Sequence, residues 1–401
     1  LITNAGGGYS QWKDFAVTRW REDTTCDNWG TFCYIRDAEN GNFWSTTYQP
    51  TLQRSDKYEA VFSEGRAEFR RRDYDIDTYT EILVSPEDNI DLRRVRLTNR
   101  NRTRRIIDIT SHAEVVLATN ASDWSHPAFS NLFVQTEIIH QRQAILCTRR
   151  PRSVDEHPPW MFHLMAVHGT EIRNITYETD RVQFIGRGNT LLSPYAMTNS
   201  KALSGSQGSV RDPVVAVQYQ IVLEPEGSAT IDMVTGISPS RDGALNLVEK
   251  YQDKQFANRV LELAWTHSQV VLRQINASES DAQLYCRLAN AIIFANSSLR
   301  AKPGILIKNH RGQSGLWGYS ISGDLPIVLL QIEDPAHINL VRQLVQAHAY
   351  WRLKGLAVDL VIWNEDHAGY RQLLQEQISG LIAAGIEANI VDRPGGIFVR
   401  S

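Results

Sequence analysis

Between Gly315 and Pro326 the chain reads GLWGYSISGDLP, which gathers two aromatic rings, three glycines, two serines and one carboxylate, Asp324. Aromatic faces stack on the CH faces of a sugar ring, and carboxylates, amides and guanidinium groups hydrogen-bond its hydroxyls. Trp317, Tyr319 and Asp324 therefore have the composition of a sugar-binding wall. They also suit a turn, with Asp324 capping a helix that begins LPIVLLQI and Pro326 in its first turn. TRWREDTTCDNWG (Thr18 to Gly30) and DWSHPAF (Asp123 to Phe129) have the same aromatic-plus-carboxylate character. Each of these stretches, taken alone, fits a structural turn better than a site.

Other chemistries are poorly supported. NAGGGYS near the start lacks the Lys-Ser/Thr of a phosphate loop and leads into the strand-like FAVTRW, so a tight turn between strands is expected. His163 and His168 lie five apart in a strand-like run and point to opposite faces, so they cannot share a metal. His267 and His348 fall on apolar helix stripes and read as satisfied core residues. Cys26, Cys33, Cys147 and Cys286 form no C-x-x-C pair or zinc pattern and are expected as free thiols in a reducing compartment. The arginine runs at 70–72, 100–105 and 149–152 have acidic neighbours and read as solvated sandwich faces. A net charge of −3 gives no reason to expect nucleic acid as a partner. No apolar run approaches the ~18 residues of a membrane span and no signal peptide opens the chain, so the default location is cytoplasmic and the five Asn-x-Ser/Thr sequons read as chance matches. Leu1-Ile2-Thr3, without a methionine, is the start expected of a piece of a longer polypeptide.

The elements that must position these residues change character along the 401-residue chain. From 59 to about 236 apolar and polar residues alternate, as in Ile107, Ile109, Ala113, Val115 and Leu117 against Asp108, Thr110, His112 and Glu114. Further strand-like runs are WMFHLMAVH, RVQFIG and PVVAVQYQIVLEP. Many strands without an intervening helical period predict a large antiparallel β-sandwich. The period then becomes helical. One helix is expected within 242–274 (Val260, Leu263, Ala264, His267 and Val271 on one face), and the next carries Leu284, Leu288, Ile292 and Ala295. A third helix starts at Asp334-Pro335, buries Leu340, Val341, Leu344, Val345, His348 and Trp351, and ends at Gly355. VDLVIWN reads as a buried strand, 368–384 as a helix and GGIFVR as a strand, a small α/β element.

AGGGYSQWKDFAVTRWRED, WGTFCYIRD, FWSTTYQP, HPAFSNLFVQTE, RLANAIIFANSSLR, GLWGYSISGDLPIVL and YWRLKGLAVDLVIWNE, in this order, resemble the phosphorylase modules of glycoside hydrolase family 94, in the form found in cyclic β-1,2-glucan synthases. The resemblance runs from Leu1 to Ser401. It implies a sandwich domain (1–240), a helical linker (241–275) and the beginning of an (α/α)6 barrel (276–401) that includes the α/β element at 356–401, an α+β chain overall. The implied chemistry is reversible, inverting phosphorolysis of β-1,2-linked glucans, with inorganic phosphate as co-substrate and no cofactor or metal.

In that family the catalytic acid and the phosphate-holding residues lie in barrel segments that no position of this chain matches. The general acid is therefore expected beyond Ser401, and the chain alone is expected to be inactive. Asp324 looks like the family's donor-sugar aspartate, with Trp317 or Tyr319 supplying a stacking contact. The disaccharide phosphorylases place an arginine a few residues before that aspartate, whereas the nearest one here is Arg311. Expected partners are a β-glucan oligosaccharide, phosphate and the remainder of the barrel, from the same or a second chain. A homodimer, attachment to an inner-membrane synthase through an upstream region, and a non-catalytic carbohydrate-binding or assembly role all stay open.

Overall fold

A computed structural model describes residues 1–366 and 373–401. They divide into two compact units, Leu1–His267 and Ser268–Ser401.

The alternation of the first unit produces the expected antiparallel sandwich. One seven-stranded sheet has the order Gln11–Trp12, Phe15–Thr18, Arg105–Thr119, Pro213–Leu223, Glu171–Asp180, with Phe32–Asp37 also paired to the 105–119 strand and Phe43–Ser45 paired to Phe32–Asp37. The eight-stranded sheet has the order Val134–Ile139, Ala144–Arg149, Trp160–His168, Ser228–Ser238, Ile90–Asn99, Ile76–Val84, Arg66–Asp73, Lys57–Ser63. Ile107, Ile109, Val115 and Leu117 meet Val95, Leu97, Ile145 and Ile231 in the core between the sheets.

The opposite parity is buried as well. Asp108, Thr110, His112 and Glu114 are all under 9% exposed. Phe184, Ile185, Leu191, Ala196 and Met197 cover that face by packing on Phe32, Tyr34 and Ala216. The covering segment includes a helical turn, Arg181–Ile185, where the alternation of RVQFIG predicts a strand. Asp180 accepts a hydrogen bond from Val182 N and caps the turn, and Gly186, at φ 82°, ends it.

The helix expected within 242–274 is Lys254–Gln274, and a second one, Arg241–Gln252, precedes it; between them Asp253 is extended and its carboxylate accepts from Gln255 N. Ala244, Val248, Tyr251, Val260 and Ala264 close the outer face of the eight-stranded sheet over Leu92, Leu146, Phe162, Leu164 and Val234. His267 is exposed, not core. The arginine runs are not uniformly solvated either: Arg71 is buried against Asp73 and the Thr47 carbonyl, and Arg149 against the carbonyls of Val116 and Ser130.

In the second unit LPIVLLQI is not a helix. Ile327–Ile332 is an edge strand of a parallel sheet, paired to Asp359–Asn364, which pairs in turn to Ile397–Arg400. The run alternates, with Ile332 buried while Ile327 and Leu329 are exposed, and backbone pairing rewards that two-residue period over a helical one. Asp334 caps a short 3-10 turn that leads into the helix Ile338–Leu353. Val341, Val345 and Trp351 are buried, but Leu340 is 49% exposed. In the Glu279–Ile293 helix, Ala282 and Tyr285 form the buried face and Leu284 is exposed. Leu373–Ala383 is the described part of the helix expected at 368–384, and residues 368–372 lie outside the described residues.

His348 is the satisfied core histidine expected: Nδ1 lies 2.5 Å from Glu387 Oε2 and Nε2 lies 2.9 Å from the Val358 carbonyl. Burial pushes the Glu387 carboxyl up, yet the hydrogen bonds from His348 and Arg352 outweigh it and hold the group below its ordinary value.

Candidate functional site

Trp317 and Tyr319 belong to a 3-10 turn, Gln313–Tyr319, which leads through Ser320–Pro326 into the 327–332 strand. Leu316 and Ile321 fix it to the sheet by packing on Val361 and Phe398. Gly323 has φ +77°, and a Cβ there would lie 2.9 Å from Gln313 Cγ and from Leu316 Cδ1. Only glycine lets the chain pass this close.

That approach makes Gln313 the partner of Asp324. Gln313 Nε2 donates to Asp324 Oδ1 and to the Ser322 carbonyl, each at 2.8 Å. Trp317 Nε1 reaches the same carbonyl at 3.3 Å, leaving its ring 64% exposed. Tyr319 stands edge-on to Trp363 with ring centroids 5.9 Å apart, and its carbonyl accepts from Arg400 at 2.9 and 2.7 Å. Trp317, Asp324 and Gln313 thus share one surface, with Tyr319 on the same turn. Arg311 is exposed and makes no ion pair among the described residues, so Gln313, not Arg311, holds Asp324. Asp324 does not cap a helix, because a strand follows it.

Asp359 went unnoticed in the sequence. It heads the central strand, is fully buried, and accepts from Gly395 N at 2.7 Å through Oδ1, while Oδ2 has no partner among the described residues. Burial raises its pKa; the Gly395 N–H and His348 oppose the rise, and the charge of Asp324 adds to it. The two carboxylates differ in setting: Asp324 is exposed, and Asp359 is buried and held toward its neutral form. A lone Asp before the apolar run of VDLVIWN was the available signal.

The two other aromatic-rich stretches meet on the sandwich unit. Arg19 forks onto Asp123, with Nε at 3.0 Å and Nη2 at 2.7 Å, while Nη1 reaches Glu114 at 2.6 Å, all of them buried. This bidentate pair ties the 18–30 loop to the Asn120–Ser125 helix. Around it Tyr9 stacks on Trp20 (5.8 Å, interplanar 4°), Arg21 lies over Trp29, and Trp124 and Phe129 are 50% and 58% exposed. No group of three or more His, Cys, Asp or Glu among the described residues is placed to hold a metal.

The first unit is a large double sheet with helical cover on which Trp124 and Phe129 lie exposed, and in the second unit Trp317 lies exposed on the turn that carries Asp324. The chain belongs to the glycosyl hydrolase 94 family, whose supersandwich domain residues 1–254 match. It is 33% identical over 382 residues to the cyclic beta-(1,2)-glucan synthase NdvB of Rhizobium meliloti (strain 1021), covering 95% of this chain and 14% of that protein. To the solabiose phosphorylase of Paenibacillus borealis it is 24% identical over 221 residues, 55% of this chain and 27% of the relative. A bacterial glucoamylase complexed with acarbose matches 65% of this chain and 32% of its own at a TM-score of 0.40 and 7% identity. The chain thus spans a minor part of the length of each curated relative it matches.

Proposed function

We propose that the chain is part of a phosphorylase module acting on β-1,2-linked glucans by reversible, inverting phosphorolysis. The observation that carries this reading is the likeness to a cyclic β-1,2-glucan synthase over 95% of the chain, extending past the sandwich. An inverting hydrolase needs a carboxylic acid for the leaving oxygen and a carboxylate to activate water. Phosphate is already an anionic nucleophile, so a phosphorylase needs the acid and groups that hold phosphate. No cofactor enters the scheme, and phosphate is the co-substrate.

In this reading Asp324 accepts hydroxyl hydrogens of the donor sugar, Trp317 offers its exposed face to the ring, and Tyr319 and Arg311 flank them. The acid comes from an (α/α)6 barrel segment supplied by the same polypeptide or a second one, and the module is cytoplasmic. No helix among the described residues is long and apolar enough to cross a membrane. Purified 1–401 incubated with β-1,2-glucooligosaccharides and phosphate should release no glucose 1-phosphate, whereas a chain extended through the rest of the barrel should. Release by 1–401 would overturn the assignment of the acid to a missing segment.

The exposed aromatic surface around Trp20 and Trp124 favours a second reading, a carbohydrate-binding subunit without catalysis. Retardation of 1–401 in a β-1,2-glucan gel, with no phosphorolysis by the extended chain, would select it.

A further inference from the structure

We propose that the strand Lys57–Ser63, the open edge of the eight-stranded sheet, pairs antiparallel with the same strand of a second copy of the chain, independently of the phosphorylase reading. An exposed sheet edge invites pairing with another chain, and folded proteins block their edges with short strands, bulges, prolines, inward-facing charges or a covering segment. The other edges of the sandwich are blocked in these ways. Gln11–Trp12 and Phe43–Ser45 are short. Glu171–Asp180 is broken by register shifts at Ile172/Asn174 and Glu178/Asp180, and Gly205 N donates to its Tyr177 carbonyl. Val134–Ile139 is covered at Thr136 by Gly208 and at Ile138 by the Gln207 side chain. Lys57–Ser63 runs for seven residues without proline or register shift, and all of them are exposed except Ala60, which is half-buried.

The phase of the ladder decides which backbone groups face outward. Ser85 N donates to the Ile90 carbonyl and Arg100 N to the Asp75 carbonyl. Odd-numbered residues of Ile76–Val84 therefore bond the Ile90–Asn99 strand, and even-numbered ones bond Arg66–Asp73. By the same alternation, even-numbered residues of Arg66–Asp73 bond odd-numbered residues of Lys57–Ser63. The N–H and C=O groups of Tyr58, Ala60 and Phe62 are left pointing outward from the sheet edge.

A two-fold axis at Ala60 uses all three. Tyr58 meets Phe62 of the second copy, Ala60 meets Ala60 and Phe62 meets Tyr58, each pair exchanging both of its N–H···O bonds. Moving the axis to a neighbouring residue leaves one of the three without a mate in the strand. The side chains agree with this register. Tyr58 and Phe62 flank the buried Phe69, with ring centroids 6.5 and 6.2 Å from it, yet stay 37% and 45% exposed. In the dimer each Tyr58 ring faces a Phe62 ring across the seam, and the small Ala60 side chains meet at the axis. On the opposite face Lys57 falls beside Ser63 and Glu59 beside Val61, so no like charges oppose directly, and Arg70 lies 3.6 Å from Glu59 as its counter-charge. One added ladder is smaller than a standard interface of roughly 1,600 Å², so dilute chains are monomers and the dimer forms on concentration.

Sedimentation equilibrium of 1–401 at rising concentration should show a reversible monomer–dimer equilibrium. Proline is tolerated in an edge strand where the missing N–H would face outward. Ala60→Pro should therefore keep the Tm of the dilute parent while weakening dimerisation at least tenfold, because the N–H at the axis is lost from both copies. Val61→Pro, which removes an N–H bonded to the neighbouring strand, should lower the Tm. Cross-linking checks the register, with the exposed Cys26 and Cys286 replaced by serine. Ala60→Cys should oxidise to a disulfide-linked dimer, since hydrogen-bonded residue pairs lie about 5.5 Å apart at Cα. Lys57→Cys, whose counterpart lies at the far end of the paired strand, should not. A mass that stays monomeric up to roughly 1 mM overturns the pairing. So does a dimer that Ala60→Pro leaves intact, a Tm lowered as far by Ala60→Pro as by Val61→Pro, or equal cross-linking of the two cysteine variants.

Discussion

At the scale of single residues, the turn around Asp324 separates binding from architecture. Asp324 is exposed, precedes a strand and receives one amide hydrogen bond from Gln313. Asp324→Asn keeps the shape and removes the charge that strengthens bonds to sugar hydroxyls. In the assembled enzyme kcat/KM should fall at least tenfold, about 1.4 kcal/mol, with Tm nearly unchanged. Unchanged kcat/KM would remove Asp324 from the donor site. Gly323→Ala tests the architecture. Its Cβ would enter the space of Gln313 and Leu316 at a positive φ, so a loss of roughly 1–3 kcal/mol is expected, seen as a lower denaturation midpoint of the second unit.

At the scale of elements, His163 links the two sheets. Its Nε2 lies 2.8 Å from Ser111 Oγ, across the sandwich, and its Nδ1 lies 2.9 Å from Thr235 Oγ1. Burial, with Arg93 nearby, lowers its pKa to about 4, and burial with Arg181 nearby lowers that of His112 to about 3. An unfolded histidine titrates near 6.5. Between that value and about 4 the unfolded chain binds protons that the folded chain refuses, so stability falls as pH falls. The expected slope is about 1.4 kcal/mol per pH unit for each histidine. Denaturant unfolding followed from pH 7 to 4.5 should show a shallower slope in His163→Gln than in the parent. An identical slope would assign the acid sensitivity elsewhere.

At the scale of the molecule, the first unit ends well after its last strand. The helices of 241–264 seal Leu92, Leu146, Phe162, Leu164 and Val234, each worth roughly 1.5–3 kcal/mol when buried. Together that rivals the whole stability of a typical domain, roughly 5–15 kcal/mol. A protein of residues 1–267 should be monomeric and unfold cooperatively, whereas 1–236 should aggregate or fail to fold. Cooperative unfolding of a monomeric 1–236, measured by circular dichroism and light scattering, would show that the helical cover is dispensable.

The period of the apolar residues was enough to place the sandwich, the switch to helices and the strands at VDLVIWN and GGIFVR, because burying one face imposes a two- or 3.6-residue repeat on the chain itself. The types of Trp317, Tyr319 and Asp324 raised a sugar-binding wall as an expectation, and the fold places Trp317 and Asp324 on one surface with Gln313. Tertiary structure decided what no local period carries. LPIVLLQI became a strand because a parallel neighbour pairs with it, and RVQFIG became a helical turn because Asp180 caps it. The polar face of the 105–119 strand is buried because residues 181–197 fold back over it. Gln313 joined Asp324, and Asp359 entered the interior, through contacts between residues far apart in sequence, and such contacts exist only once the chain has folded.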